Sequence, residues 1–275
     1  MSLVMQTNVA SLQAQQNLSR SQHALTTSFN KLSSGYRINT AADDAAGLAI
    51  SESMKMQIRS YAVAERNAND AISMAQTAEG ALGEVSGIIA RMRELAMQGA
   101  NGSLQTSDRG YLDTEFQSLK AEISRIQGST EFNGVQLLNA TAVSVDFQVG
   151  IQTAQNNRIT LTFGAIDLSA LLTTTSVLSG TAGNSRGLLT TLDAALKTIS
   201  TGRARFGAAM NRLEITTSNL GTIRTNTSAA NSRIRDIDVA EETAHMARNQ
   251  VLAQAGSAVL AQANQLPQIA LGLLK

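Results

Sequence analysis

The chain has 275 residues, enough for one or two domains, and 22 Lys+Arg against 21 Asp+Glu leave a net charge of +1. It has no Cys, no Trp and a single Pro, while aromatic residues are 3% and hydrophobic residues 43%. These counts exclude disulfide scaffolds, thiol catalysis and Cys-ligated metal centres, and give no electrostatic reason to expect nucleic acid. What remains is Ala, Leu, Ile, Val and Met, a mixture that packs helices closely.

The first residues, Met1 to Leu18, lack the basic and apolar regions of a Sec signal peptide. Apolar residues recur from Val4 at sevens, Leu18, Leu25 and Leu32, joined by Leu12 and Phe29. This predicts an amphipathic helix that stops near Ser33-Ser34-Gly35. Thr40-Ala41-Ala42-Asp43 then reads as a capping-box variant opening a second, very long helix. Two interleaved rows run through it: Ala68, Ala75, Leu82, Ile89 and Ala96, and Ala71, Ala78, Val85 and Met92. Alternate spacings of three and four make a coiled-coil seam. From Ile58 to Gln98 the helix would extend about 60 Å.

Gly99-Ala100-Asn101-Gly102 breaks it, and Ser107 with Asp108 starts the next helix. That helix carries Leu112, Phe116, Leu119, Ile123 and Ile126 and closes at Gly128, with a turn at Asn133-Gly134. The period then becomes two at Val143, Val145, Phe147 and Val149, and again at Ile159, Leu161 and Phe163, which predicts a β-hairpin. Ser169 to Ser185 reads as a loop with a short apolar patch at Leu171-Leu172. Helix resumes with Leu189, Leu192, Leu196, Ile199, Phe206, Met210, Leu213 and Leu220. A last helix carries Leu252, Val259, Leu266 and Leu273, with Gly256, Ala263 and Ala270 between them, and Pro267 should kink or end it.

The expected fold is mainly α, with long antiparallel helices in coiled-coil bundles, one small β-hairpin, and the N- and C-terminal helices paired. Two domains are expected. Residues 1–42 and 226–275 form a terminal coiled coil; residues 43–225 form a helical domain with the hairpin at about 143–166 and a short surface loop at about 167–185. Leu82, Ile89, Met92, Leu119, Ile123, Leu192, Ile199, Phe206 and Leu213 are its candidate packing residues. Leu18, Leu25, Leu32, Leu252, Val259, Leu266 and Leu273 are the candidates for assembly of the terminal pair. Those helices bury little alone, so they are expected to order when copies of the chain cover them. A contact between different patches of identical chains that closes no ring makes a helical filament.

Several long motifs stand in order: KLSSGYRINTAADDAAGLAI from Lys31 to Ile50, RNANDAISMAQTAEGAL from Arg66 to Leu82, RELA from Arg93 to Ala96, and FNGVQLL from Phe132 to Leu138. SRIRDIDVAEE from Ser232 to Glu242 and QAGSAVLAQANQLPQIALGLLK from Gln254 to Lys275 follow. Together they closely resemble bacterial flagellin over nearly the whole chain. The resemblance implies an extracellular filament subunit, exported unfolded by the flagellar type III apparatus without a cleaved signal peptide. It implies as partners other copies of the chain, the flagellar cap and hook–filament junction proteins, and an export chaperone at the C-terminal helix. The family's outer domains have no room here, since only about 20 residues, Ala165 to Ser185, stand where a domain needs 50 or more. By the same resemblance Arg91, Leu95 and Glu115 match the residues that a host Toll-like receptor grips; on their own they read as a seam residue and two solvated charges. Gly134, residues 143 to 163 and Asn219 to Ser228 are candidates for switching between protofilament states.

No catalytic, cofactor or metal site is expected. Asp43-Asp44, and Asp236 with Asp238, are carboxylate pairs without a nearby His, and read better as helix-start charge and filament contacts. His23 and His245 would meet only if the terminal helices bring them together. There is no HExxH, GxGxxG or P-loop, and no stretch of 18 uncharged apolar residues, so no membrane insertion. The competing readings are a hook–filament junction protein and a monomeric helical adhesin.

Overall fold

A computed structural model describes residues 7–164, 166–173 and 177–272, with side chains described as far as 265. It contains helices α1 (Val9–Ser34), α2 (Ala45–Gly99), α3 (Thr106–Ser129), α4 (Ser169–Leu172), α5 (Ala182–Arg235) and α6 (Val239–Gly272). Strands β1 (Glu131–Phe132), β2 (Val135–Gln136), β3 (Val143–Gln148) and β4 (Arg158–Phe163) form two antiparallel pairs. The chain divides into a terminal unit, residues 1–56 and 226–275, and an interior unit, residues 57–225. The first turns of α2 therefore belong with the terminal helices, not with the interior domain that the sequence starts at residue 43.

In the interior unit both heptad rows of α2 are buried. Ala68, Ala75, Leu82, Ile89 and Ala96, and Ala71, Ala78, Val85 and Met92, join Phe116 and Ile123 of α3 and Leu192, Ile199, Phe206 and Leu213 of α5 in one apolar cluster. Leu119 is half-buried against it. Small residues in the first half of the seam and large ones in the second mean that packing partners differ along the helix: backbone near Ala68, side chains near Ile89.

Three ion pairs run along the pairing of α2 with α5. Glu65 pairs with Arg224 at 2.9 Å, Glu79 with Arg203 at 2.7 Å and Arg93 with Asp193 at 2.7 Å. The α2 members stand two heptads apart on one face, and the last rung reverses polarity. A heptad slip would break every rung and also move Gly202 of α5 off Leu82, where a Cβ would come within 3.3 Å, so charge and packing select the same register. Each rung is partly solvated and individually weak. Arg203→Glu should cost about 1 kcal/mol or less, and the swap Glu79→Arg with Arg203→Glu should recover most of it, as a urea-unfolding double-mutant cycle would measure.

The hairpin forms in the expected place. Val145 lies opposite Leu161 and Phe147 opposite Ile159, and Phe163 stacks on Phe206 of α5 with ring centroids 5.5 Å apart. Asn67 of α2 donates to the Gln148 carbonyl at 2.9 Å. The Asn133-Gly134 turn is itself a hairpin: both residues have positive φ, 48° and 78°, and β1 pairs with β2 across it. Strands of two residues are too short for alternation to reveal, so only the turn was legible.

The segment after β4 is more ordered than a surface loop. Ile166, Leu168, Leu171 and Leu178 are buried, and a turn of helix, α4, carries Leu171. The Lys120 ammonium donates to the Thr173 carbonyl, and α5 begins at Ala182, seven residues before Leu189. Ser185 of that first turn is fully buried beside Gly99, where a Cβ would come within 2.7 Å of its hydroxyl. The Gly/Ser composition that suggested loop is what permits this close approach.

In the terminal unit α1 and α6 pack side by side and antiparallel: Asn8 donates to the Ala263 carbonyl at 2.8 Å and Ser11 to Asn264 at 2.7 Å. Gly256 lies against Leu18, where a Cβ would be 3.4 Å from its methyl. The pairing is a heptad seam of modest side chains. Ala14, Ser28 and Ala263 are buried, while Leu18, Ser21, Leu25, Leu32, Met246, Asn249, Ala253 and Leu260 are half-buried. α6 runs on through Pro267 to Gly272, so the proline does not end it. One missing amide bond is tolerated there because Ala, Gln and Leu on either side are strong helix formers.

α2 opens at Ala45, four residues later than a capping box with Thr40 as its N-cap would place it. Asp44 caps it, accepting from the Gly47 amide at 2.8 Å. Asp43 instead closes the preceding turn, accepting from Asn39 and Thr40 amides at 3.1 and 2.8 Å. The Thr40 amide, helped by the Asn39 amide and the Thr40 hydroxyl, holds the Asp43 carboxyl below its ordinary value. A depressed carboxyl stabilises above its unfolded pKa and loses that effect as pH falls. Asp43→Asn should therefore lower the melting temperature slightly at pH 7 and leave it unchanged at pH 2 to 3, roughly below the acid range of a carboxylate.

Candidate assembly surfaces

Where α5 ends and α6 begins, the chain crosses the end of α1. Arg37 N donates to the Arg235 carbonyl at 2.7 Å, and Ile237 N to the Gly35 carbonyl at 3.2 Å, making a bridge of Tyr36 with Asp236. Gly35 has φ 74°, the left-handed value that ends α1 and turns the backbone into this bridge. The Arg235 guanidinium lies 4.5 Å from the centre of the Tyr36 ring and pairs with Glu52 of α2. Arg37 donates to the Ile234 carbonyl. The two motifs SSGYR and RIRDID thus form one clamp.

The clamp accounts for the acidic pairs. Asp238 caps α6, accepting from the Ala240 and Glu241 amides at 2.9 and 3.2 Å, and Asp43 and Asp44 hold the entry to α2 as above. Each accepts backbone amides through one carboxylate oxygen, as a charge at a helix start does. His245 sits 3.8 Å from Glu241 on its own helix, and His23 is exposed on α1, off the seam.

Away from the seam the terminal helices carry exposed apolar side chains. On α1 these are Val9, Leu12 and Phe29; on α6 they are Val239, Val251, Leu252 and Val259. Leu252 and Val259, expected in the terminal assembly set, thus face away from α1, and the Gly256 and Ala263 row faces it. The side chains of Leu266 and Leu273 lie outside the described residues. Exposed Phe, Leu and Val on helices whose seam residues are themselves mostly half-buried leave a second apolar surface uncovered in the single chain.

Arg91, Leu95 and Glu115 are brought together, but not alike. Arg91 donates to Glu115 at 2.8 Å and to Glu94 at 2.9 Å, with all three exposed. These contacts, Glu115 first, raise the Arg91 pKa further above its ordinary value. Leu95 is fully buried in the interior cluster, so in the single chain only Arg91 and Glu115 of the three present surface. One interior residue was not foreseen. Arg109 is 6% exposed and donates to the carbonyls of Gly99 at 2.9 Å, Asn101 at 2.9 Å and Gly180 at 3.4 Å. It caps the C-terminus of α2 from the first turns of α3, and a lone Arg after a capping Asp carries no signal for that.

Family profiles for the bacterial flagellin N-terminal helical region and the bacterial flagellin C-terminal helical region match residues 5–142 and 189–274. The chain belongs to the bacterial flagellin family. Among its relatives, a flagellin of Halalkalibacterium halodurans is 47% identical over 94% of this flagellin and 93% of its own length. The flagellar filament 33 kDa core protein of Treponema phagedenis is 38% identical over 99% and 100% of the two chains. Among solved structures, Bacillus cereus flagellin aligns with a TM-score of 0.50 at 37% identity, covering 60% of this flagellin and 94% of that chain. A putative flagellar hook-associated protein of Vibrio parahaemolyticus aligns at 0.60 with 15% identity, covering 70% and 100%, a likeness of fold.

Proposed function

We infer that this flagellin is a structural subunit that polymerises into the bacterial flagellar filament and serves swimming motility. The observation that carries this is the terminal pair: a narrow, largely half-buried seam inside and exposed Val, Leu and Phe outside, on helices from opposite ends of the chain. Such a surface is satisfied by neighbouring copies. Family membership and relatives matched along nearly their whole length support the same reading over a junction protein or an adhesin.

From that reading follow an extracellular location, passage unfolded through the flagellar type III apparatus, and a chaperone on α6 that shields Val251, Leu252 and Val259 before export. The cap protein at the filament tip, the hook–filament junction proteins and a host Toll-like receptor at Arg91 and Glu115 complete the proposed partners. The packed connection after β4, in place of outer domains, would give a filament with a smooth surface.

Deleting Val251 to Lys275 is the test. The interior unit should keep its cooperative thermal transition, while filaments vanish from negative-stain images of protein that polymerises when intact. Filaments of normal length from the truncated chain would exclude the role given to the terminal pair.

A further inference from the structure

The pair of α1 and α6 is fastened at one end only. There the residues just after α1 and just before α6 meet through two backbone hydrogen bonds and the bridge of Tyr36 with Asp236. At the far end the contacts are the side-chain hydrogen bonds that Asn8 and Ser11 donate to Ala263 and Asn264. The fastened end is also where the chain is anchored: α1 leads through residues 35–44 into α2, and only residues 236–238 separate α5 from α6.

Arg235 is where these connections converge. Its carbonyl accepts from the Arg37 amide at 2.7 Å, and its guanidinium lies 4.5 Å from the centre of the Tyr36 ring while pairing with Glu52 of α2. Its side chain is 14% exposed, where the arginines of the three α2–α5 rungs are 41% to 45% exposed, so water screens its contacts less than theirs. A contact between two tethered helices closes a loop, and the entropy lost grows with that loop's length. Contacts beside the tether therefore form most readily, and each turn that closes brings the next within reach. The seam of α1 with α6 is narrow and mostly half-buried, so it has little to set against a long closure.

We propose that Arg235 positions the terminal pair for assembly, and that α1 and α6 close from this clamp toward the two chain ends. The proposal rests on the filament reading and gives the ordering of the terminal helices a starting point and a direction.

Leu18 and Gly256 supply the test. They face each other part-way along the seam, where a Cβ on Gly256 would lie 3.7 Å from that of Leu18, a separation that suits a disulfide. The sequence has no Cys, so an engineered bond can form only there. Arg235→Ala is expected to raise the concentration needed for polymerisation about tenfold or more, with the thermal transition of the interior unit unchanged. Adding Leu18→Cys and Gly256→Cys, oxidised, should restore polymerisation, because the disulfide fastens the helices in place of the clamp. Reducing it should remove the effect.

An Arg235→Ala chain that polymerises like the unmodified one would overturn the proposal. So would an oxidised triple variant that stays inert while the same disulfide permits filaments in the chain that keeps Arg235. Should the disulfide block filaments in both, hydrogen exchange pulsed during polymerisation of the unmodified chain decides. The Arg37 and Ile237 amides should be protected no later than residues 10–20 and 254–263, and the reverse order would overturn the proposal. Each of these failures leaves the filament reading intact, whereas an unmodified chain that forms no filaments would overturn that reading and the proposal with it.

Discussion

Replacing Leu95 with Asp should abolish the cooperative fold of the interior unit. Leu95 is fully buried within the cluster that joins α2, α3 and α5. Removing its side chain alone costs about 2 to 5 kcal/mol, and a carboxylate in its place adds the penalty of an unpaired buried charge. A domain has roughly 5 to 15 kcal/mol to lose. Circular dichroism should show a broadened or absent thermal transition, whereas Leu95→Met, which conserves volume, should cost less than about 1.5 kcal/mol. A stable Leu95→Asp chain would mean that this part of the seam is open. The result also decides how receptor experiments are read. Loss of signalling from Leu95→Asp would report unfolding, so a receptor contact has to be sought with Arg91→Ala and Glu115→Ala. Those positions are exposed, and losing their ion pair costs the fold little.

Arg109→Ala is the second large effect, in the range of about 2 to 4 kcal/mol. Three carbonyls lose their donor, two of them, Gly99 and Asn101, at the C-terminal end of α2 where the helix dipole favours a cation. The Gly99 carbonyl, which is buried, costs about 1 to 3 kcal/mol when left without a partner, while Asn101 is exposed and can turn to water. For a unit of this size the loss lowers the melting temperature by roughly 2 to 4 °C per kcal/mol. Arg109→Lys should rescue little, because an ammonium cannot span separate carbonyls as the flat guanidinium fork does. Equal melting temperatures for Arg109→Ala and the unmodified chain would show that water replaces the guanidinium, and that Arg109 is not what ends α2.

The seams were legible because burial imposes a period. A helix buried along one stripe must repeat apolar residues at three and four, and Ala68 to Ala96 do so without a break. The β3–β4 hairpin showed for the same reason at period two. Where burial does not impose a period, the reading failed. Leu171 and Leu178 are buried from a Ser/Thr-rich segment that has no periodicity, and β1 with β2 is shorter than one repeat. Leu252 and Val259 are the instructive case. Their spacing marks a stripe, but a stripe does not say what covers it, and α1 takes the Gly256 and Ala263 row instead.

The sequence by itself determined helix content, the two interior rows, the hairpin and, through its motifs, membership of the flagellin family. These are properties of local pattern, repeated often enough to outweigh any single exception. Only the tertiary structure decided that Arg235 clamps Tyr36 and Glu52, that Arg109 ends α2, and that Glu65, Glu79 and Arg93 meet their partners on α5. Each is a contact that no local pattern records. A charged side chain looks the same in sequence whether it meets water or a partner, so its role appears only when folding supplies the partner.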